Sequence, residues 1–346
     1  MRKSEIGKNR FNILDPLRFF AAMSVLVYHY SIFLKHSGAE WLLHTLSFGY
    51  LGVNFFFLLS GFVIIASAQN RNAIDFAVSR VIRLYPAFWI CLLITVAAIY
   101  FIEEKKISIF DVLANASILN DYLGVKNIDG VFWTLQAEIK FYGCIFLLIL
   151  TGLIRFIRTW LLVWLLLSIL YHFYEQPFFL SWFISPGYSF YFIGGVCCYQ
   201  LYKRRDPLIL SILVISMIFS IIKSSSQIYD FFPGAGGLDE MIAAAIISIF
   251  FLTFYLLSMG LLNFQPRRYF LLLGAISYPL YLIHNRAGKI VIEEFLQIMS
   301  PVCSVLLVSV IVIAASFLVH IIFEKPMSAT MKKFCFSLIK KFRLTS

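Results

Sequence analysis

Two residues near the start of the chain carry side chains that can do chemistry together. His29 follows Arg18 by eleven positions, which on an α-helix amounts to three turns plus about 20° and a rise of about 16 Å. One helix face then carries Arg18 at the headgroup level of a membrane and His29 near its middle. With an ordinary pKa of about 6.5, a histidine can take the proton of a hydroxyl group. Each residue also fits a structural role, as a hydrogen-bonding partner between helices or as a snorkelling arginine.

Arg80 and Arg83 form a second candidate group. They stand three residues apart and are followed by Tyr85 and Pro86, so their side chains share one helix face. Two guanidinium groups in this arrangement can bind a phosphate through bidentate hydrogen bonds. Ordinary cytoplasmic anchoring of a span predicts the same residues, and the sequence alone favours neither interpretation.

Glu138 is the acidic candidate. It lies about 9 Å along a helix that begins at Phe132, with Tyr142 at i+4 on the same face. A buried carboxylate at this depth could exchange protons, whereas a carboxylate at the outer interface would simply be hydrated, and both interpretations stay open. The position predicts the external half of the membrane, where Glu138 would orient a bound molecule or relay a proton from it.

Two further histidines fall within apolar segments. His284 follows Ser277 and Tyr281 on one helical stripe, near the predicted external end of its span, and we expect it to be an interfacial residue. His320 is expected to pack between helices. The chain contains no Walker loop, His-Glu-x-x-His, Cys-x-x-Cys or Gly-x-Ser-x-Gly motif, so the sequence supports neither a metal site nor nucleotide hydrolysis.

These side chains need helices to position them, and the composition is that of a membrane protein. Of the 346 residues, 61% are hydrophobic and 14% charged, against about 45–50% and about 25% in soluble domains. This balance excludes a water-soluble enzyme, a disordered chain and a disulfide scaffold. Stretches long enough to cross about 30 Å of hydrocarbon predict an all-α integral membrane protein with ten transmembrane helices, at residues 17–34, 49–68, 84–102, 132–154, 159–174, 180–202, 207–222, 241–262, 269–284 and 301–323.

The distribution of charge predicts the orientation. With ten spans, the terminal segments and the even-numbered connections hold 21 Lys and Arg residues, and the odd-numbered connections hold seven. The positive-inside rule therefore predicts that both termini are cytoplasmic. The net charge of +11 reports this topology, and no nucleic-acid partner is needed to explain it.

Several short motifs occur in one order along nearly the whole chain. They are Leu14-Asp15-Pro16-Leu17-Arg18 with the Arg-x10-His pair ending at His29, Gly52-Val53-Asn54-Phe55-Phe56-Phe57, Leu59-Ser60-Gly61-Phe62, Arg80-x-x-Arg83 with Leu84-Tyr85-Pro86, Phe132-Trp133-Thr134-Leu135 with Glu138, Ser277-Tyr278 through His284, and Glu324-Lys325-Pro326. With these motifs the sequence resembles the membrane acyltransferase-3 family, bacterial enzymes that acylate cell-surface and secreted carbohydrates.

The resemblance implies a single ten-helix acyltransferase domain over residues 1–346 in the bacterial cytoplasmic membrane. It implies acyl-CoA, most often acetyl-CoA, as co-substrate, and a polysaccharide or lipid-linked sugar as acceptor, with the Arg-x10-His and Arg-x-x-Arg elements required. Many relatives have Asp where this chain has Asn54, so a carboxylate role is not available there. Some relatives carry an appended extracytoplasmic domain, and we expect none here.

Topology and resemblance together predict a mechanism. Arg18, Arg80 and Arg83 would bind the CoA phosphates from the cytoplasm, and the pantetheine arm would carry the thioester to His29, the predicted general base. Direct transfer is favoured, and an acyl-histidine intermediate stays open. The alternative function is proton-coupled transport of a small polar solute, with His29 and Glu138 as the relay, against which the chain shows no repeated halves.

Overall fold

The computed structural model describes residues 11–35, 37–38, 40–69, 71–176, 179–231, 234–262 and 268–345. The chain is 84% helical, and the described part contains no strand. Five residues of the charge count lie outside the described residues: Arg2, Lys3, Lys8, Arg10 and Arg267. The α-helices are α1 (Leu14–Ser31), α2 (Leu43–Ser47), α3 (Gly52–Ala68), α4 (Ala73–Phe101), α5 (Ile109–Ala116), α6 (Trp133–Leu150), α7 (Ile157–Tyr174), α8 (Leu180–Phe183), α9 (Ser189–Lys203), α10 (Pro207–Phe231), α11 (Gly237–Ser258), α12 (Arg268–Ile283), α13 (Arg286–Phe295), α14 (Pro301–Leu318) and α15 (Lys325–Thr345).

The all-α membrane fold predicted from the composition is confirmed. Eight helical segments of the described chain are long and apolar enough to cross a membrane. The other two predicted spans correspond to α9, which has 15 residues, and α12, which has 16. A count of ten crossings therefore stays a prediction for these two helices.

The closest helix pair of the bundle is α3 with α9, and its contact depends on two glycines. A Cβ on Gly195 would lie 2.0 Å from the carbonyl oxygen of Leu58, and one on Gly61 would lie 2.2 Å from that of Phe192. Any side chain at either position would force the backbones apart, so small residues permit the close approach. The crossing also fixes the position of Ser60, which faces the site described below.

Polar contacts between distant connections divide the bundle into two ends. At one end Lys203 donates to the side chain of Gln69. At the other end Arg286 pairs with Glu103 at 2.7 Å. Each contact joins connections of the same parity, which is the pattern expected if consecutive spans run in opposite directions.

The last span contains an irregular stretch. Residues Val319–Glu324 form a π-helix between α14 and α15. π-helical turns inside α-helices are rare and frequently occur at functional sites. Here the π-helix places Glu324, 4% exposed, against α4.

Candidate functional site

The largest group of predicted site residues meets in one cavity of about 640 Å³. Arg18 of α1, Arg80 and Arg83 of α4, and Glu138 of α6 all line it. We call it the arginine cavity. Helices α3 and α12 complete its walls with mostly apolar side chains, so charged and apolar groups line the same cavity.

Arg83 is held by a buried carboxylate from the far end of the chain. Its Nη1 lies 3.0 Å from Oε1 of Glu324, and Nδ1 of His320 lies 2.8 Å from the other oxygen of the same carboxylate. The guanidinium also stacks over the ring of Tyr278 at 5.7 Å. The sequence predicts that His320 packs between helices, but the side chain lines the arginine cavity as part of this chain of contacts.

Arg80 and Glu138 meet on Tyr142. The Arg80 guanidinium lies 5.8 Å from the centre of the Tyr142 ring, within cation–π range. The Tyr142 hydroxyl donates to Oε1 of Glu138 at 2.7 Å, and the Ser60 hydroxyl donates to the same oxygen at 2.9 Å. Glu138 thus lies with the arginines. This placement differs from the expectation that it faces an acceptor in the external half.

Arg18 also has a carboxylate partner. Its Nη1 lies 3.2 Å from Oδ1 of Asp15, one turn earlier on α1, and Asp15 is 2% exposed. The three predicted phosphate-binding arginines therefore share a cavity in which none relies on solvent alone for its orientation.

His29 is absent from the lining of the arginine cavity and has a second histidine as its neighbour. The rings of His29 and His284 are 5.2 Å apart between centroids. His284 is completely buried, unlike the hydrated side chain expected at a membrane interface. Its depth in the membrane stays a prediction. Its Nδ1 lies 2.8 Å from the Tyr281 carbonyl oxygen. A carbonyl can only accept, so Nδ1 carries the proton and Nε2 is left as an acceptor.

Tyr281 separates the arginine cavity from the histidine pair. Its ring lines the cavity and packs edge-on against Phe56 at 5.6 Å. It also lies 5.5 Å from the ring of His284. The hydroxyls of Thr134 and Tyr281 are hydrogen-bonded at 3.1 Å, which holds the ring in this position. We call these three side chains, Phe56, Thr134 and Tyr281, the partition.

Asp129 organises the chain on the other side of the histidines. Its carboxylate accepts from Asn285 Nδ2 at 2.7 Å and from the backbone N–H of Arg286 at 2.8 Å and of Val131 at 3.1 Å. Burial raises the pKa of Asp129 above its usual range, although the hydrogen bonds and the nearby Lys289 oppose the shift. Sequence analysis did not single out Asp129, because its three partners come from positions up to 157 residues away.

Three buried polar atoms around this carboxylate have no hydrogen-bond partner among the described residues: Tyr30 Oη, His284 Nε2 and Asn285 Oδ1. Tyr30 follows His29 in α1, and its hydroxyl lies where a side chain on Gly288 would start, 2.0 Å from the Cβ position. Buried polar atoms are normally satisfied. These atoms are therefore suited to receive hydroxyl groups of a bound molecule beside His29.

Two other expectations concern Asn54 and metals. Asn54, which stands where many relatives have Asp, is 2% exposed and donates to the Tyr191 hydroxyl at 3.0 Å. Its amide thus links α3 to α9 at a distance from the arginines. Within the part of the chain that the structure describes, no group of three or more His, Cys, Asp or Glu residues could hold a metal ion.

The chain is similar to several proteins that carry the names of acyltransferases. A 24% identical relative, named as an acetyltransferase (ORF330) of Acidianus two-tailed virus, aligns over 86% of this chain and 88% of its own length. Acyltransferase MdmB of Streptomyces mycarofaciens is 30% identical over 38% of each chain. O-acetyltransferase OatA of Staphylococcus aureus is 30% identical over 41% of this chain and 25% of its own length.

A family model matches a longer part of the chain than the two 30% identical relatives do. No solved structure matches the chain significantly. A family model described as an acyltransferase domain, acyltransferase-3, matches residues 11–321, a range that includes His29, Glu138 and all three arginines. The chain belongs to the acyltransferase-3 family.

Proposed function

We propose that this protein is a membrane O-acyltransferase that transfers an acyl group, most often acetyl, from cytoplasmic acyl-CoA to a hydroxyl of a cell-surface or exported carbohydrate. The observation that carries the proposal is the arginine cavity, whose walls combine Arg18, Arg80 and Arg83 with mostly apolar side chains. This combination fits a molecule with phosphates at one end and an apolar arm at the other.

The arginine partners support donor binding. Arg83 forms an ion pair with Glu324, and Arg80 lies over the ring of Tyr142. Both guanidinium groups are therefore oriented before a phosphate binds. A pre-oriented guanidinium loses less entropy for each hydrogen bond that it forms. Glu138, bonded to Tyr142 and Ser60, then serves donor binding by holding this wall in place.

His29 acts at the reacting centre. It takes the proton of the acceptor hydroxyl while the oxygen attacks the thioester carbonyl, and the departing CoA sulfur then receives a proton. General base catalysis of this kind contributes about 10²–10⁴-fold. Since Tyr281 lies between the arginine cavity and His284, the acyl end of the donor has to pass the partition to reach His29. The acyl-histidine alternative has the same requirement.

The neighbouring His284 adds an acceptor atom. Its Nδ1 proton is committed to the Tyr281 carbonyl, which leaves Nε2 to orient either the His29 ring or the acceptor hydroxyl. Both histidines belong to one reacting centre on this proposal. The acceptor class and the bacterial cytoplasmic membrane as location follow from the family resemblance, and the name O-acetyltransferase of the Staphylococcus relative supports the type of reaction.

The test uses membrane vesicles of known orientation. Labelled acetyl-CoA is supplied to inside-out and to right-side-out vesicles, and label in carbohydrate is measured. We expect label with inside-out vesicles alone, and no label with vesicles that carry His29→Ala. Label from neither orientation, combined with solute uptake in the absence of CoA, would replace the enzyme by the transporter.

A further inference from the structure

A second cavity lies at the opposite end of α4 and is rich in lysine. It has a volume of about 760 Å³ and lies between the end of α4, the segment before α6 and the start of α13. We call it the lysine cavity. Its lining includes five basic residues: Lys105, Lys106, Lys126, Arg286 and Lys289.

The positive charge of this cavity is not balanced by its neighbours. Glu103 pairs with Arg286 at 2.7 Å and lies 3.6 Å from Lys105. The remaining three lysines, Lys106, Lys126 and Lys289, form no ion pair with any described residue. The lining includes one carboxylate, that of Asp111. An excess of one positive charge is left when Glu103, Asp129 and Glu293, the nearby carboxylates that act on these basic residues, are also counted.

The location makes this concentration of lysine unusual. On the predicted topology, seven basic residues occupy external connections, and five of them line this one cavity. The positive-inside rule gives them no role in orientation. Like charges placed together repel one another, and a bound anion would offset the repulsion that the nearby carboxylates leave.

The lysine cavity is adjacent to the reacting centre. Asn285 lines it and directly follows His284 in the chain. The Lys289 ammonium is close enough to act electrostatically on both His29 and His284. A molecule whose anionic group rests on the lysines would therefore lie next to the histidine pair, where three buried polar atoms lack partners among the described residues.

Amide groups in the lining indicate that the anionic group belongs to a sugar. Asn127 and Asn285 line the cavity together with the backbone of Gly124 and Gly130, and such groups hydrogen-bond hydroxyls. The volume falls in the range of about 300–1,000 Å³ that encloses a small ligand.

We propose that the acceptor is an anionic carbohydrate, with a carboxylate or phosphate on the sugar, that binds in the lysine cavity and presents a hydroxyl to His29. This inference rests on the proposed acyltransferase function and narrows its acceptor class. Lysine provides compact charges without a fixed fork, so a carboxylate and a phosphate are both accommodated.

The test measures binding to the full chain in phosphatidylcholine nanodiscs, at low salt and without donor. The probes are trigalacturonate against its neutral methyl ester, and maltotriose phosphate against maltotriose. We expect each anion to bind at least about tenfold more tightly than its neutral counterpart, with an affinity that falls as salt is added. Equal binding of both pairs overturns the inference, and the stronger of the two anions identifies the group.

Matched variants assign the effect to the cavity. Lys106→Gln with Lys126→Gln, two exposed side chains, should remove the preference for the anion, and Lys106→Arg with Lys126→Arg should keep it. The control pair Lys35→Gln with Lys223→Gln removes two basic residues of the same end outside the cavity and should change nothing. An equal loss in the control would show general surface attraction and contradict the proposal.

Two further outcomes separate this inference from its alternatives. If nanodiscs containing phosphatidylglycerol abolish the binding of trigalacturonate, the cavity belongs to a lipid headgroup and the inference fails. Because binding is measured without acyl-CoA, an absence of acyl transfer would overturn the proposed function alone. Loss of anion preference in a protein that still acylates would overturn the acceptor class alone.

Discussion

The arginine cavity and the lysine cavity hold positive charge in different ways. In the arginine cavity each guanidinium has a protein partner, such as Glu324 for Arg83 and the Tyr142 ring for Arg80. In the lysine cavity Lys106 and Lys126 are exposed and have no ion pair among the described residues. Oriented planar groups select one phosphate geometry, whereas mobile ammonium groups attract negative charge of several shapes. The first end is suited to one fixed donor and the second to a variable acceptor.

The two ends are also far apart. Arg83 and Ile99, which contact the two cavities, are sixteen residues apart on α4, a rise of about 24 Å. Contacts of the histidine pair connect the two cavities. Asn285, next to His284 in the sequence, lines the lysine cavity, and Tyr281, whose ring is near that of His284, lines the arginine cavity. On the predicted topology, the two cavities therefore open to opposite sides of the membrane.

Sidedness gives the largest expected effect, since labelling should be complete or absent. In a Cys303→Ser background, which removes an exposed native thiol, a cysteine at Asp121 should react with an impermeant maleimide on intact cells. A cysteine at Arg71, equally exposed at the other end, should react after permeabilisation alone. The reverse pattern would put the arginines on the side without CoA.

His29→Ala should lower acyl transfer by at least about 100-fold, because the general base is lost. Binding at both cavities should persist, since His29 lines neither of them. His172→Ala is the matched control, a partly exposed histidine in α7 outside both cavities. Transfer rates, protein abundance and donor binding are measured together. Activity within a few-fold of the unaltered chain would remove His29 from the mechanism.

Arg80→Lys, Arg83→Lys and Glu324→Gln should each raise the KM for acyl-CoA by about tenfold and leave the KM for acceptor unchanged. Lysine keeps the charge and loses the bidentate fork, and Glu324→Gln releases Arg83 from its partner. Donor and acceptor titrations in membranes measure the two constants. Arg158→Lys serves as control, since Arg158 pairs with Asp206 outside the cavity. An unchanged KM for acyl-CoA would indicate that Arg80 and Arg83 serve only to orient the span in the membrane.

The smallest effect is expected for Tyr281→Phe. The ring remains between the cavity and His284, and the variant loses the hydroxyl that is hydrogen-bonded to Thr134. We expect the free energy of unfolding to fall by about 0.5–1.5 kcal/mol and transfer to stay within about threefold. Thermal unfolding in detergent gives the first quantity. A complete loss of transfer would instead place the hydroxyl on the reacting atoms.

The sequence predicted the helical fold and the grouping of the arginines because both depend on local pattern. Apolar stretches identify spans, and the spacing of Arg80 and Arg83 on one helix puts both on the same wall. The position of Glu138 was not predictable in this way. The depth of Glu138 was counted from the start of its own span. The depth of the arginines depends on α4, which begins at Ala73, eleven residues before the predicted span. Arg80 and Arg83 therefore lie within this helix and not in the connection before it.

Contacts between distant segments account for the other differences. Glu324 reaches Arg83 across 241 positions, and no periodicity links two such residues. The apolar stretch that contains His284 ends there, which predicts a hydrated side chain, yet the rings of His29 and Tyr281 pack near it and it is buried. The five basic residues of the lysine cavity come from two connections more than 150 positions apart, and a count along the sequence showed them merely as scattered exceptions.

The partition has an electrical consequence. If water enters the arginine cavity from one side and the lysine cavity from the other, most of the membrane potential falls across the short stretch of protein around Tyr281 and His284. Moving one elementary charge through the full potential involves about 2.3 kcal/mol per 100 mV. A proton taken up by His29 during transfer would cross part of this field. We therefore expect the rate of acylation in sealed vesicles to respond to an imposed voltage, with a sign that depends on the side from which the proton leaves.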